Sequence, residues 1–194
     1  MGIRDEMMSG RLYDASNGEL LEELYKAQEL CQDYNALRIT DFEGRARILG
    51  QLIGKSGKNL IVVPPFFCDY GSNIEVGDDV FINCYCVFLD EAKITIGSNV
   101  FIAPQCGFYT AGHPLVAALR RQKREYSLPI TIGDDVWIGG MVSVMPGITI
   151  GSGSVIAGGS VVIDDIPSGV LAAGNPCKVI RKITPEDRDR YRRE

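Results

Sequence analysis

From residue 132 onward an aliphatic β-branched residue returns every six positions: Ile132, Ile138, Val144, Ile150, Ile156 and Val162. Four residues after each stands a second small or aliphatic residue, namely Val136, Val142, Ile148, Ser154, Ser160 and Ile166. The rule also holds at Val76, Ile82 and Phe88, slips by two residues, and resumes at Ile96, Ile102 and Phe108. Ile132 lies 24 residues beyond Phe108, so the register survives an irregular excursion, about residues 109–129, that leaves the repeat and returns to it.

A period of six is not helical, because at 3.6 residues per turn neighbouring units would present different faces; β-branched markers suit short extended segments instead. Gly, Asp and Asn cluster between markers (GDD, GSN, GG, GSG), where a chain turning a corner needs small or left-handed residues. The economical geometry is a coil of three flat sides, about 18 residues to the turn, with successive turns paired as parallel strands and the markers stacked inside. The twelve units then give four turns. The expected class is mainly β, a parallel β-helix of hexapeptide repeats.

A stacked coil leaves open edges that must be covered. Ser16-Asn17-Gly18-Glu19 has the form of a capping box ahead of Leu20, Leu24, Ala27, Cys31 and Tyr34 on one helical face. Thr40-Asp41-Phe42-Glu43 is a second, with Phe42, Ala46, Leu49 and Ile53 at helical spacing. NLIVVPPFFCDYG is expected to enter the coil as an irregular strand, and Thr184-Pro185-Glu186-Asp187 to start a short C-terminal helix. The expected division is a helical region 1–56, the coil 57–183, and a terminal helix 184–194.

The formal charge of −5 gives no sign of a surface for nucleic acid or anionic lipid, which needs a basic excess. Apolar stretches are too short to cross a bilayer and MGIRDEMMSG lacks a signal peptide's apolar segment, so a cytoplasmic location is expected. Six cysteines without a CxxC pair read as reduced, small apolar residues. The single histidine, His113 in GFYTAGHPL, interrupts the repeat between Gly112 and Pro114 and cannot complete a zinc pattern, so no metal is expected.

The segments FFCDYGSNI, FINCYCVFLDEAKITIG, TAGHP, SLPITIGDDVWIGG and GNPCKVIRKI, after an LYDAS-type helical start, closely resemble the maltose and galactoside O-acetyltransferases over almost the whole chain. The resemblance implies a left-handed coil, a homotrimer with active sites between adjacent coils, and transfer of acetyl from acetyl-CoA to a hydroxyl of a small sugar or glycoside. It implies that His113 is the general base, and the chemistry asks for one, since a hydroxyl attacks a thioester poorly until its proton is removed. Asn83 matches an acceptor-binding position beside the base; Asp69 and Glu91 fall where relatives bind the acceptor, with solvated charge as the rival reading. The backbone N–H near Gly140 matches the oxyanion donor. Trp137 matches a residue lining the pantetheine groove, or covers a subunit seam. Gly158, Lys178 and Arg181 match positions that hold CoA, while Arg120–Arg124 reads mainly as a solvated basic run.

Two departures stand out. Relatives often carry T-K-D where this chain has Ile163-Asp164-Asp165, so an acid replaces a cation. The acidic N-terminal residue that contacts sugar in relatives aligns with Ala15, Asn17 or Asp14. The competing functions are a xenobiotic or amino-sugar acetyltransferase on the same scaffold and a non-catalytic trimeric binding scaffold.

Overall fold

The computed structural model describes residues 2–189. Its centre is a three-sided coil whose strands pair in parallel between turns. Ser56, Val76, Ile96, Ile132 and Ile150 form one column. Val62, Ile82, Ile102, Ile138, Ile156 and Ala172 form the second. Cys68, Phe88, Phe108, Val144 and Val162 form the third. All twelve markers are buried, each removing its side chain from water to the gain of about 1.5–3 kcal/mol. Phe66, Phe88 and Phe108 stack through the upper interior, with centroids 5.3 and 4.6 Å apart.

The coil is longer than the marker rule predicted. NLIVVPPFFCDYG does not enter as an irregular strand: Ile61–Val62 and Phe66–Cys68, with Lys55–Ser56, complete an additional turn. Ser56, Val62 and Cys68 keep the six-residue spacing, but serine and cysteine are neither β-branched aliphatic nor aromatic as the twelve markers are. Beyond Val162, Ile166 bridges to Ile150 and Ala172 pairs with Ile156, opening one more turn.

The three faces differ in what they turn outward. One carries Lys55, Glu75, Thr95, Thr131 and Thr149, and is polar. The second, the tryptophan face, carries Ile61, Phe81, Phe101, Trp137, Val155 and Leu171. The third, the phenylalanine face, carries Phe67, Val87, Ser143 and Val161. The corner between the polar and tryptophan faces repeats one device: Asn59, Asp79, Asn99 and Asp135 take φ near +57°, the left-handed conformation that Asn and Asp tolerate best. There the Asp78, Ser98, Asp134 and Ser152 side chains accept the backbone N–H of the turn before.

Helices α1 (Ile3–Met7), α2 (Gly18–Ala36) and α3 (Phe42–Leu52) precede the coil. α2 is capped by Asn17, whose side chain accepts the Glu19 N–H, and it buries Leu20, Ala27, Cys31 and Tyr34. Cys31 meets Cys68 of the first coil turn, Sγ to Sγ 3.6 Å. α3, capped by Asp41, turns Arg45, Ile48 and Leu52 inward, not the expected stripe; Phe42 and Ala46 are exposed, Leu49 is partly buried, and Ile53 is buried. The reason is Arg45. Its guanidinium lies 5.3 Å over the Tyr34 ring and donates to Tyr34 Oη, Ile39 O and Val62 O, so a charged residue can face the core with its fork engaged.

At the other end Lys178–Lys182 folds back antiparallel on Val170–Ala173 and covers the last edge of the tryptophan face. The expected C-terminal helix is a 3-10 turn over Pro185–Asp189; residues 190–194 lie outside the described residues. The excursion is also more regular than predicted. Ala111–Gly112 and Arg124–Ser127 pair antiparallel, a short helix Ala117–Arg120 joins them, and Tyr13–Asp14 adds a third strand.

Candidate functional site

Two edges of the prism carry the candidate residues. The first joins the phenylalanine face to the polar face, and every departure from strict six-residue spacing occurs there: Cys68 to Val76, Phe88 to Ile96, the excursion after Phe108, and the short step from Val162 to Ile166. The extra residues build a polar interior corner. Asp90 is fully buried and accepts backbone N–H groups from Asp69, Tyr70 and Asn73. Burial still dominates over those donors and pushes its carboxyl up to about 6. In the next layer Thr110 Oγ1 donates to Leu89 O at 2.7 Å and accepts the Ala92 N–H at 2.9 Å.

Glu91 is buried in this corner, 6% exposed, so the solvated-charge reading fails for it. Thr110 Oγ1 lies 3.3 Å from Glu91 Oε2. Burial first, then a hydrogen bond and charge repulsion from half-buried Asp69, push the Glu91 carboxyl well above the ordinary range. Glu91 therefore favours its protonated form in this corner.

His113 follows the strand Ala111–Gly112, whose partner strand places Glu125 within reach: His113 Nε2 to Glu125 Oε1 is 3.8 Å. Glu125 is itself held. Its Oε2 accepts the hydroxyl of Tyr13 at 2.9 Å, and Tyr13 is buried, its phenol pushed far up by desolvation and by Glu125. Arg120 Nη1 donates to Pro114 O and Leu115 O and so ties down the chain after the histidine. The imidazole is 60% exposed and lines an open cleft of 360 Å³ with Ala15, Ser16, Leu21, Arg120, Lys123 and Glu125. Of the three N-terminal alternatives, Ala15 is the one that lines this cleft. Sequence reading missed Glu125, Tyr13 and the tethering by Arg120; the only signal was that a 24-residue gap must return to register, which favours a paired hairpin.

The second edge joins the tryptophan and phenylalanine faces; Gly139, Gly140, Gly158 and Gly159 cluster on it, while Tyr85 and Met141 project outward beside them. Asn83, Gly140 and Gly158 fall at the same corner; Gly140 and Gly158 are in adjacent layers, and the layer of Ala103 and Pro104 lies between Asn83 and Gly140: Asn83 N donates to Ile102 O, Met141 N to Pro104 O, and Gly159 N to Gly140 O. Asn83 Oδ1 accepts the Cys84 N–H at 2.8 Å, which leaves Nδ2 for a ligand. The layers touch closely; a Cβ on Gly158 would sit 3.0 Å from Gly140 O, and one on Gly139 would sit 2.5 Å from Gly158 N. The Gly140 N–H has no acceptor among the described residues. Trp137, 53% exposed, stands beside this edge between Phe101 and Val155.

Lys178 and Arg181 lie on the final strand, and each is engaged. Lys178 Nζ is 2.7 Å from Asp164 Oδ2, and Arg181 makes a bidentate pair with Asp187 at 2.6 and 2.7 Å. One chain does not bring the two edges together: the phenylalanine face separates His113, Asp69 and Glu91 from Asn83, Gly140 and Gly158. Among the described residues no group of three His, Cys, Asp or Glu side chains is placed to hold a metal ion, and no helix is long and apolar enough to cross a membrane. All six cysteines are free, five of them buried.

Comparison with known proteins bears on the family and the fold. Residues 6–57 match the maltose acetyltransferase hexapeptide capping motif, and 129–164 the six-repeat bacterial transferase hexapeptide. A Saccharomyces cerevisiae protein named as an acetyltransferase is 52% identical over 96% of each chain. The galactoside O-acetyltransferase of Escherichia coli K12 is 38% identical over 98% of this chain and 94% of that one. The crystal structure of a maltose O-acetyltransferase from Clostridium difficile 630 superposes with a TM-score of 0.93 at 47% identity, covering 95% of this chain and 98% of the other. A galactoside acetyltransferase in complex with coenzyme A gives 0.94 at 38%, covering 100% and 97%. The fold is the left-handed parallel β-helix, and the chain belongs to the maltose and galactoside O-acetyltransferase family of hexapeptide-repeat proteins.

Proposed function

We propose that this protein is an acetyl-CoA-dependent O-acetyltransferase acting on a hydroxyl of a small sugar or glycoside. One observation carries the reading: the sole histidine is held over an open cleft beside a carboxylate, by a hairpin that forms the longest insertion into the coil. His113 takes the proton from the acceptor hydroxyl as its oxygen attacks the thioester carbonyl, then returns it to the departing thiol. Glu125 stabilises the imidazolium and fixes the ring; Tyr13 fixes Glu125. Asn83 orients the acceptor, and Asp69 with Glu91 binds its hydroxyls. The Gly140 N–H receives the oxyanion.

The glycine edge fits an extended acyl donor. Backbone donors without side chains admit close approach at Gly140 and Gly158, Trp137 supplies an exposed ring for the pantetheine arm, and Lys178 and Arg181 supply cations at the adenosine end. In this reading the helices before Lys55 cap the coil, Lys55 to about residue 183 carries most of the site, and the 3-10 turn Pro185–Asp189 finishes the donor end.

The separation of the edges calls for more than one copy. A homotrimer that sets one chain's His113 edge against its neighbour's glycine edge would complete the site, and the outward apolar residues of the tryptophan and phenylalanine faces favour such contact. Thiol release from acetyl-CoA across a sugar panel tests the activity, and product mass distinguishes an ester from an amide. A solution mass near three times 21.2 kDa tests the assembly. Mixing inactive His113→Ala and Asn83→Ala chains should restore activity to about a quarter of the sites, because random trimers regenerate intact pairs across a seam. No recovery would place both residues in one chain's site.

A further inference from the structure

The adenosine end of the proposed donor groove is close to electrically neutral. Lys178 Nζ already lies 2.7 Å from Asp164, and the Arg181 fork is filled by the Asp187 carboxylate. Asp164 stands in the run Ile163-Asp164-Asp165, and the neighbouring Asp165 is turned to another use, accepting the Thr149 N–H at 2.7 Å. A phosphate arriving here meets no uncommitted cation at these two positions. It must displace Asp164 from Lys178 or Asp187 from Arg181, and in either case it stays beside the carboxylate it displaced. Because a displaced carboxylate repels the newcomer as well as competing for the cation, most of the attraction that Lys178 would offer a phosphate is cancelled.

We infer that Asp164 sets donor recognition: by neutralising Lys178 it makes binding nearly indifferent to the 3′-phosphate of CoA, so that donors built on dephospho-CoA are accepted about as well. This rests on the reading of the glycine edge as the donor groove. Recognition then falls on the diphosphate–pantetheine portion, which meets Gly140, Gly158 and Trp137. Lys178 and Asp164 act as a matched pair in which the acid tunes the cation. The Asp164 side chain is largely exposed, so replacing it leaves the coil's packing intact.

Calorimetric titration of the intact protein with CoA and with dephospho-CoA tests this directly. The wild type should bind the two within about fivefold, since a committed surface cation offers little net gain. D164N should tighten CoA by about fivefold while leaving dephospho-CoA unchanged, and D164N with Lys178→Ala should lose that gain. A wild-type preference for CoA above about thirtyfold, the mark of an uncommitted charge-assisted contact, would overturn the inference while leaving the donor groove in place. So would equal tightening of both ligands in D164N. Failure of both ligands to bind would remove the donor groove itself, and this inference with it.

Discussion

The two functional edges of the prism solve opposite problems. The glycine edge is made by strict repetition: corners of three residues stack layer on layer, and where Gly139 meets Gly158 backbone touches backbone so closely that a side chain is excluded. The carboxylate edge is made by breaking the repeat. Two extra residues at each of two layers, then the excursion, give room to bury Asp90 and Glu91 and to project His113. Regularity suits the gripping of an extended ligand by backbone donors, whereas chemistry needs side chains at odd angles, and a repeat supplies those only where it is interrupted.

The contrast breaks first at the histidine. His113→Ala should lower kcat about 10²–10⁴-fold while leaving CoA affinity within error, because the donor lies along the glycine edge and His113 stands on the other. Steady-state thiol release with calorimetry checks both halves; unchanged turnover would end the base assignment.

The next test concerns the buried acid of the carboxylate edge. Asp90 has a folded value pushed up to about 6 from an ordinary 3.8, so the folded state binds the extra proton between those values. Its stabilising contribution is full below about pH 4 and lost as pH rises to about 6, roughly 3 kcal/mol in all. Urea midpoints across that window should fall with rising pH in the wild type, and Asp90→Asn should remove that component of the slope. An identical slope in the variant would mean that the corner does not titrate.

On the glycine edge, Gly139→Ala puts a Cβ 2.5 Å from the Gly158 nitrogen and should cost about 1–3 kcal/mol, whereas Gly140→Ala meets only Pro104 O at 3.3 Å and should cost much less. Denaturant unfolding of the two variants side by side decides whether layer contact controls this corner. The smallest effect is expected at Tyr13→Phe, which removes one hydrogen bond to Glu125; kcat should drop about three- to tenfold with acceptor KM unchanged. A changed KM with constant kcat would assign Tyr13 to acceptor binding.

Legibility in the sequence followed the same division. The twelve markers found their columns without exception, because the signal is local and repeated. The extra turn at Ser56, Val62 and Cys68 is not legible by the same rule, since serine and cysteine are neither β-branched aliphatic nor aromatic. On α3 the stripe was misread through Arg45, a charge that the core accepts only because Tyr34 and two carbonyls receive it. At the site, His113 was visible as the lone histidine in a broken repeat, while Glu125 and Tyr13 were not. They lie 12 residues after it and 100 before it, and no local pattern joins them.

The sequence by itself determined the coil, its three-sidedness and the residue that interrupts it, because a six-residue period of β-branched side chains has one economical way to be buried. Tertiary structure alone decided which corners carry the interruptions, which acid faces the imidazole, and that Asp164 meets Lys178. Those relations depend on how separate turns stack, and a period along the chain does not encode the company its corners keep.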